Sequence, residues 1–350
     1  MNHRTLTSAG FLTATLSLVN CGGGADAGTG PGHGGGSNTG AGPTPVVLVG
    51  AGDIANCNGN EAATALLLDA IAGTVFTAGD NVYPIGAAAE YANCYEPTWG
   101  RHKARARPSA GNHDYGIAGA PHYYNYFGAS AGPAGLGYYS YELGDWHIVV
   151  LNSNIARGAG SVQEQWLRND LAANTKPCTL AYWHHPLFNS GASHGNDPSQ
   201  VALFKALYEH HADVIVNGHE HIYERFAPQN VNGQADPNGP RVFIVGTGGV
   251  PFYGIGTVQP NSEVRNNTTH GVIKFTLKAN SYDWQFVPVA GRTFTDSGTA
   301  SCVNGAPPAD GTQVTLNPSE GWDSKNLKTL VADAGLDTVT GDDPGHFLAL

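Results

Sequence analysis

The sequence predicts an α/β domain, and two observations favour this fold class. From residue 46 onward, short apolar runs typical of buried strands alternate with segments of helical character. Further along the chain, two pairs of β-rich runs flank tight turns, as antiparallel hairpins do. We therefore expect mixed sheets, in which helices connect the parallel strands and turns connect the antiparallel ones.

The strands are predicted from apolar runs and from their flanking turns. Four compact apolar runs predict buried strands at residues 46–49, 75–77, 180–183 and 214–217. The two hairpins are expected at residues 138–143 with 146–151, across Gly144-Asp145, and at 272–277 with 282–287, across Ala279-Asn280.

Three helices are predicted from the residues that begin them. Asn60 is expected to cap a helix over 61–72. Ser161 and Glu164 have the spacing of a capping box, which predicts a second helix. A third helix is expected to open at Asp197, since Pro follows it directly.

Composition restricts the partners of the protein. Its 350 residues are 41% hydrophobic, which is enough for a buried core. The formal net charge of -11 and only 17 Lys and Arg residues leave no basic surface for a phosphate backbone, so nucleic acid is not expected as the main partner. An acidic surface does not attract an anionic substrate either, so a phosphate site would need local positive charge such as metal ions.

The first 21 residues are interpreted as a signal peptide. An apolar run over 9–19 follows His3 and Arg4 and is too short to span a membrane. The sequence up to Cys21 resembles a bacterial lipoprotein signal, although Asn20 replaces the usual small residue, and ordinary secretion is the alternative. Both interpretations export the chain, to the bacterial cell envelope or outside the cell, with membrane contact only through a lipid on Cys21.

The rest of the chain divides by composition. Residues 22–44 are rich in Gly, Pro, Ser and Thr and predict a flexible linker. The main domain is expected over 45–299, followed by a polar extension of unassigned role at 300–350. With Cys21 as an anchor, an even number of cysteines remains in an oxidising compartment. Three pairings are open, and we favour Cys57 with Cys94 because both are near candidate metal-binding loops; free thiols are the alternative.

Five short motifs of Asp, Asn and His carry the candidate chemistry. Each alone is a common turn sequence, but four directly follow predicted strands and four contain a Gly that permits a sharp turn. Because sites in open α/β sheets assemble at the carboxyl ends of the strands, we expect the motifs to meet at one edge. In chain order they are G-D at 52–53, G-D-N-V-Y at 79–83, G-N-H-D at 111–114, W-H-H-P at 183–186 and G-H-E-H at 218–221.

The ordered set of motifs, over residues 46–287, resembles the calcineurin-like metallophosphoesterases and, within them, the purple acid phosphatases. The resemblance implies a four-layer sandwich of two mixed β-sheets flanked by helices. It also implies hydrolysis of a small phosphate monoester by hydroxide bound to two metal ions. A phosphodiesterase or nucleotidase on the same scaffold is the alternative, and a non-catalytic surface lipoprotein is a third hypothesis.

The resemblance further implies the ligands of the two metal ions. A phenolate ligand favours Fe(III) at the site of Tyr83, while Zn, Mn and Fe(II) are open at the second site. Asp80 would bridge the two ions. The first ion would be bound by Asp53, Asp80, Tyr83 and His221, and the second by Asp80, Asn112, His184 and His219.

Three residues are expected to act on the substrate. The resemblance implies that His113 contacts the substrate and assists the leaving group, and we expect Asp114 to orient His113. His194 is expected to contact phosphate, with an exposed loop histidine as the alternative. Glu220, which separates two ligands, should point away from the metals.

Other polar and aromatic residues have simpler interpretations. His185 is expected to point toward the residues that surround the ligands or toward solvent. The basic run over 101–107 is expected to form a solvated surface helix or loop. Tyr123, Tyr124 and Tyr126 would stack on a base in a nucleotidase, or otherwise belong to the core.

Overall fold

The protein was analysed as a computed structural model, which describes residues 44–303. The expected signal peptide at 1–21, with Cys21, lies outside the described residues, as do the linker except residue 44 and the extension beyond residue 303. Within the described part of the chain, no helix combines the length and apolar character needed to cross a membrane.

Thirteen strands are described, and they include the four predicted apolar runs and both hairpins. In chain order they are β1 Val46–Ala51, β2 Thr74–Ala78, β3 Ala106–Ser109, β4 Tyr139–Leu143, β5 Trp146–Val150, β6 Cys178–Tyr182, β7 Val214–Asn217, β8 Tyr223–Phe226, β9 Arg241–Val245, β10 Ser262–Asn266, β11 Gly271–Leu277, β12 Ser281–Pro288 and β13 Ser297–Ser301.

The strands form two mixed sheets, as predicted. The first has the order β13-β12-β11-β1-β2-β3, in which β1, β2 and β3 are parallel and the other neighbours antiparallel. The second has the order β10-β8-β9-β7-β6-β5-β4, in which β9, β7, β6 and β5 are parallel. The hairpins β4–β5 and β11–β12 pair antiparallel at the positions expected from the sequence.

The helices cover the outer faces of the sheets. Apolar side chains of both sheets, such as Leu48 and Ile148, meet in a central core, while Val49 packs beneath the helices on the other face of its strand. Separate cores lie under α1 and α3 and under α4 and α5, so the predicted four-layer sandwich is confirmed. The helices are α1 Glu61–Ala70, α2 Ala88–Glu90, α3 Pro121–Phe127, α4 Val162–Ala173 and α5 Val201–Glu209, with a π-helical turn Tyr91–Tyr95 and 3-10 turns at Trp99–Arg105, Gly128–Ala131 and Pro198–Gln200.

The caps of the three predicted helices are confirmed only in part. Asn60 makes no side-chain cap to α1, and the helix ends at Ala70 because the next residue, Ile71, is extended. At α4, Ser161 Oγ accepts a hydrogen bond from the Glu164 backbone at 3.2 Å, whereas the Glu164 carboxylate binds the Gly160 backbone instead of completing the box. Before α5, the Asp197 side chain caps the 3-10 turn that leads into the helix.

The basic run at 101–107 is a surface element that stabilises α1. The guanidinium of Arg105 donates to the carbonyls of Leu68, Ile71 and Gly73 at 2.6, 3.0 and 2.7 Å. The carbonyl of Leu68 lies in the last turn of α1 and that of Ile71 at its C-cap, where helices leave such acceptors without partners, and Gly73 lies between α1 and β2. Arg101 forms an exposed pair with Asp69 and donates to the carbonyl of Pro97 at 2.8 Å.

Two disulfides lie within residues 44–303, and one of them is the predicted pair. Cys57 bonds to Cys94, and Cys178 bonds to Cys302, so none of these four cysteines is a free thiol. The second disulfide joins the end of β13 to the start of β6 in the other sheet. Since β13 pairs with β12 through residue 301, the ordered sheet continues past the boundary expected at residue 299.

Replacing Arg105 by Met is expected to lower the free energy of unfolding by about 2 kcal/mol, because three charge-assisted hydrogen bonds to carbonyls at and just beyond the end of α1 are lost. The matched control is Arg101→Met, which removes an exposed ion pair and an exposed hydrogen bond to Pro97 and should cost less than about 1 kcal/mol. Urea denaturation of both variants measures the difference, and equal losses would contradict the role of Arg105 at the end of α1.

Candidate metal centre

All five motifs lie at the carboxyl ends of parallel strands. The loops after β1, β2 and β3 come from the first sheet, and those after β6 and β7 from the second. The loops are joined directly: Asp53 N donates to Gly79 O at 3.1 Å, and Gly218 N donates to His184 O at 3.0 Å. The third motif also follows a strand, β3, which lacks the continuous apolar run that marks the other four.

Three of the expected ligands adopt a left-handed backbone conformation. The φ angles are 62° at Asp53, 48° at Asp80 and 71° at His219. Residues with a Cβ rarely adopt this conformation, and such strain is concentrated at functional sites. The third motif needs its glycine for a different reason, because a Cβ on Gly111 would lie 2.1 Å from Asp80 Oδ1.

The first group of donors surrounds the hydroxyl of Tyr83. This oxygen lies 2.9 Å from Asp53 Oδ1, 3.0 Å from Asp80 Oδ2 and 3.2 Å from His221 Nε2. His221 Nε2 is in turn 3.4 Å from Asp53 Oδ1. The four side chains expected to bind one metal ion therefore converge.

The second group of donors surrounds Nε2 of His184, which is fully buried. This nitrogen lies 3.0 Å from Asn112 Oδ1, 3.2 Å from Asp80 Oδ2 and 3.2 Å from His219 Nδ1. Asp80 thus contacts both groups through the same oxygen, Oδ2. The position of Asp80 between the two groups is the one required of a bridging ligand.

Backbone carbonyls orient two of the imidazoles. His184 Nδ1 lies 2.8 Å from the carbonyl of Ala78, and His221 Nδ1 lies 2.8 Å from the carbonyl of Pro251. Because a carbonyl only accepts, each Nδ1 carries a proton and donates it to that carbonyl, and Nε2 of each ring faces the other donors. Metal-binding histidines are commonly oriented in this way.

The charges of the site favour bound cations. Burial and the carboxylates of Asp53 and Asp80 raise the pKa of Tyr83 well above its ordinary value. Burial alone would raise the pKa of Asp80 and lower that of His184, but their attraction outweighs it, so Asp80 has a lowered pKa and His184 a pKa of about 9. A phenolate beside two carboxylates requires nearby positive charge.

The donor set fits the metals implied by the sequence. Asp53, Asp80 and His184 each place a ligand atom within 4.8 Å of the others. Carboxylate, phenol, amide and imidazole donors without thiolate suit Fe, Mn or Zn. The residues present are therefore compatible with a dinuclear centre.

His113 lies at the edge of the donor cluster. Its Nδ1 donates to the Pro84 carbonyl at 2.6 Å, and its Nε2 lies 3.9 Å from Asp80 Oδ2. The ring packs on Tyr83 with centroids 4.2 Å apart, and the side chain is 34% exposed. His113 is therefore close to the donors and accessible from outside.

The expected role of Asp114 as the residue that orients His113 is wrong. Asp114 is fully buried, and its carboxylate accepts hydrogen bonds from the Gly111 backbone at 2.8 Å and from the hydroxyl of Tyr91 at 2.6 Å. Asn81 also donates to it at 2.9 Å. Asp114 thus fixes the shape of the metal-binding loops, while Pro84 orients His113.

Three residues beside the ligands are arranged as follows. His194 stacks on His219 with ring centroids 3.9 Å apart. Glu220 points away from the donors, as expected, and binds the loop that carries His194. His185 packs against His219 and bonds through Nδ1 to the hydroxyl of Ser153 at 2.7 Å.

For Tyr123, Tyr124 and Tyr126 the structure agrees with the alternative that they belong to the core. Tyr123 is fully buried, and Tyr124 bonds to the hydroxyl of Tyr115, so these rings belong to the core and do not form a stacking surface. Tyr126 bonds to Glu96. Tyr253, which belongs to none of the five motifs, stacks on His221 with centroids 3.9 Å apart. The signal for it was the glycine-rich segment that directly follows β9, the same arrangement as in the metal-binding loops.

Comparison with known proteins agrees with this geometry. A family model described as calcineurin-like phosphoesterase matches residues 41–223. Purple acid phosphatase 15 of Arabidopsis thaliana is 35% identical over 117 residues, which cover 32% of this chain and 22% of that protein. Probable purple acid phosphatase 20 of the same plant is 28% identical over 211 residues, 53% of this chain and 49% of the relative. The chain therefore matches about half or less of these relatives.

The fold is also found in a solved structure. The purple acid phosphatase PPD1 from yellow lupin (Lupinus luteus) seeds aligns with a TM-score of 0.62 at 18% identity, covering 74% of this chain and 54% of that one. At this identity the likeness concerns the fold alone.

Replacing Asp80 by Asn is expected to remove most of the bound metal, because both donor groups lose their shared carboxylate. The control is Asp213→Asn, which changes a buried aspartate that accepts hydrogen bonds from backbone N–H groups of Thr179 and Val303. Plasma mass spectrometry of the purified variants gives the ratio of metal to protein. Equal metal content in the Asp80 variant and the unchanged protein would rule out the bridging position.

Proposed function

The chain belongs to the calcineurin-like phosphoesterase family, and we propose that it hydrolyses phosphate monoesters at a centre of two metal ions. The observation that carries this proposal is the convergence of seven donors in two groups that share Asp80. The relatives named purple acid phosphatases support the same reaction class.

The metals would be held by the side chains already expected from the sequence. Asp53, Asp80, Tyr83 and His221 would bind one ion, and Asp80, Asn112, His184 and His219 the other. Bound cations supply the positive charge that an acidic protein otherwise lacks for phosphate, and they lower the pKa of water for attack on phosphorus. Tyr83 supports Fe(III) at the first position.

The protein residues around the donors support positioning and proton transfer. His113 is fixed through Nδ1 by Pro84, so Nε2 is the ring nitrogen available toward the site. From the exposed edge it would contact the substrate and protonate the departing oxygen. The Asp114 carboxylate keeps the loop of Asn112 and His113 in place through Gly111.

An ester without a nucleobase is favoured over a nucleotide by the aromatic residues. Tyr123 is buried, Tyr124 is bonded to Tyr115, and Tyr126 is bonded to Glu96, so the tyrosines that would have bound a base are engaged in other contacts. An imidazole at each side, His113 and His194, supports binding of a compact phosphoryl group. The two disulfides support an oxidising, exported location for the domain.

Iron-loaded protein is expected to be coloured, because charge transfer from the Tyr83 phenolate to Fe(III) absorbs visible light. Tyr83→Phe should lose this absorption, whereas Tyr253→Phe, which alters a tyrosine beside His221, should retain it. Visible spectroscopy and metal analysis of the same samples provide the test. A colourless protein with only Zn or Mn would overturn the Fe(III) assignment.

The protein is expected to release phosphate faster from a mono-aryl phosphate than from a bis-aryl phosphate. Asp80→Ala should reduce this turnover by more than about 100-fold, since even outer-shell changes at metal sites cost 10 to 100-fold. His113→Ala should lower turnover while bound metal is retained. Preference for the diester would favour the phosphodiesterase alternative, and no hydrolysis across a broad ester panel would support a non-catalytic domain.

A further inference from the structure

Glu220 is a buried carboxylate that lies in the sequence between the expected ligands His219 and His221. It does not belong to either group of donors. Its side chain is fully buried and points into the loop at 189–196, which carries His194. Oε1 accepts from the Ser193 backbone at 3.0 Å, and Oε2 accepts from the His194 backbone at 3.0 Å and from His194 Nδ1 at 3.1 Å. One carboxylate thus binds three donors of two consecutive residues.

The loop is packed directly on this carboxylate. A Cβ on Gly191 would lie 2.0 Å from Glu220 Cδ, so only glycine permits the observed approach. A second buried carboxylate, Glu224, accepts from the Ser190 backbone at 2.8 Å at the start of the same loop. Ala192 N donates to Gly254 O at 2.9 Å, which joins the loop to the segment of Tyr253. The loop is therefore held at several points, but Glu220 alone of these binds His194.

The contact with Glu220 determines how His194 is presented. Because a carboxylate accepts, Nδ1 carries a proton and Nε2 lies on the opposite edge of the ring. The ring lies over His219 with an interplanar angle of 28°, and the side chain is 36% exposed. A histidine beside a metal ligand, with one nitrogen fixed and one edge exposed, is oriented to meet a substrate oxygen.

We propose that Glu220 is a positioning residue that holds His194 over His219 so that Nε2 contacts a phosphoryl oxygen of the substrate. The inference rests on the proposed phosphatase function and adds a residue to it. Glu220 acts through His194 and does not touch the substrate or a metal ion. A neutral side chain at this position could not accept from all three donors, and the loop would lose its fixed conformation.

A double-mutant cycle tests whether the two residues act together. Glu220→Gln keeps the size of the side chain but turns one acceptor into a donor, and it should lower kcat/KM for an aryl phosphate by about tenfold. His194→Ala should cause a similar loss, and the double variant should be no slower than His194→Ala alone. Multiplied losses in the double variant would overturn the proposal.

Glu224→Gln is the matched control. It changes a buried glutamate that holds the same loop through Ser190 and makes no hydrogen bond to His194. We expect kcat/KM to stay near that of the unchanged protein, even where the thermal stability falls. A loss as large as that of Glu220→Gln would mean that loop stability in general, and not the contact with His194, sets the rate.

A spectroscopic measurement tests the contact between Glu220 and His194 independently of enzyme activity. Long-range ¹H–¹⁵N spectra of the full chain, metal-free and zinc-loaded, should show His194 protonated at Nδ1, with His194→Ala identifying its signals. A His194 that carries no proton on Nδ1 in the unchanged protein would overturn the proposal even where Glu220→Gln does not fold. A complete lack of ester hydrolysis would reject the phosphatase function, whereas this spectrum would still test the role of Glu220.

Discussion

Two buried carboxylates, Asp53 and Asp80, both contact the hydroxyl of Tyr83. These three acidic groups lie so close together that they constrain the surrounding structure. Such a group is stable only with compensating positive charge. The surrounding imidazoles and the implied cations meet this need. The backbone brings the two carboxylates together through left-handed conformations at Asp53 and Asp80. Hydrogen bonds between neighbouring loops maintain these conformations.

The two sheets together place the carboxyl ends of five strands around the donor cluster. Neither sheet holds a complete donor set, because Asp53, Asp80 and Asn112 follow strands of the first sheet and His184 and His219 follow strands of the second. Packing between the sheets therefore sets the distances within the site. The disulfide Cys57–Cys94 further restrains the loop that follows Asp53.

Much of this arrangement could be predicted from the sequence, since continuous apolar runs mark β1, β2, β6 and β7 and the polar motifs follow them. The strand β3 was not recognised because Arg107 and Pro108 interrupt its apolar pattern. Side-chain direction after a sharp turn is also not encoded locally, which is why Asp114 was assigned to the neighbouring His113 and not to Gly111 and Tyr91. The contact of Glu220 with His194 joins residues 26 positions apart and has no local signal.

The direction of β1 and β6 determines where the ends of the described chain lie. Val46, the first residue of β1, pairs with Leu277. Near the last described residue, Cys302 is bonded to Cys178 at the start of β6. Both points lie at the end where β1 and β6 begin, about 20 Å of strand away from the donors that follow them. The described residues therefore begin and end at the pole of the domain opposite the donor cluster. The disulfide of Cys302 can restrain β13 against β6 at that pole without contact with the loops that carry the donors.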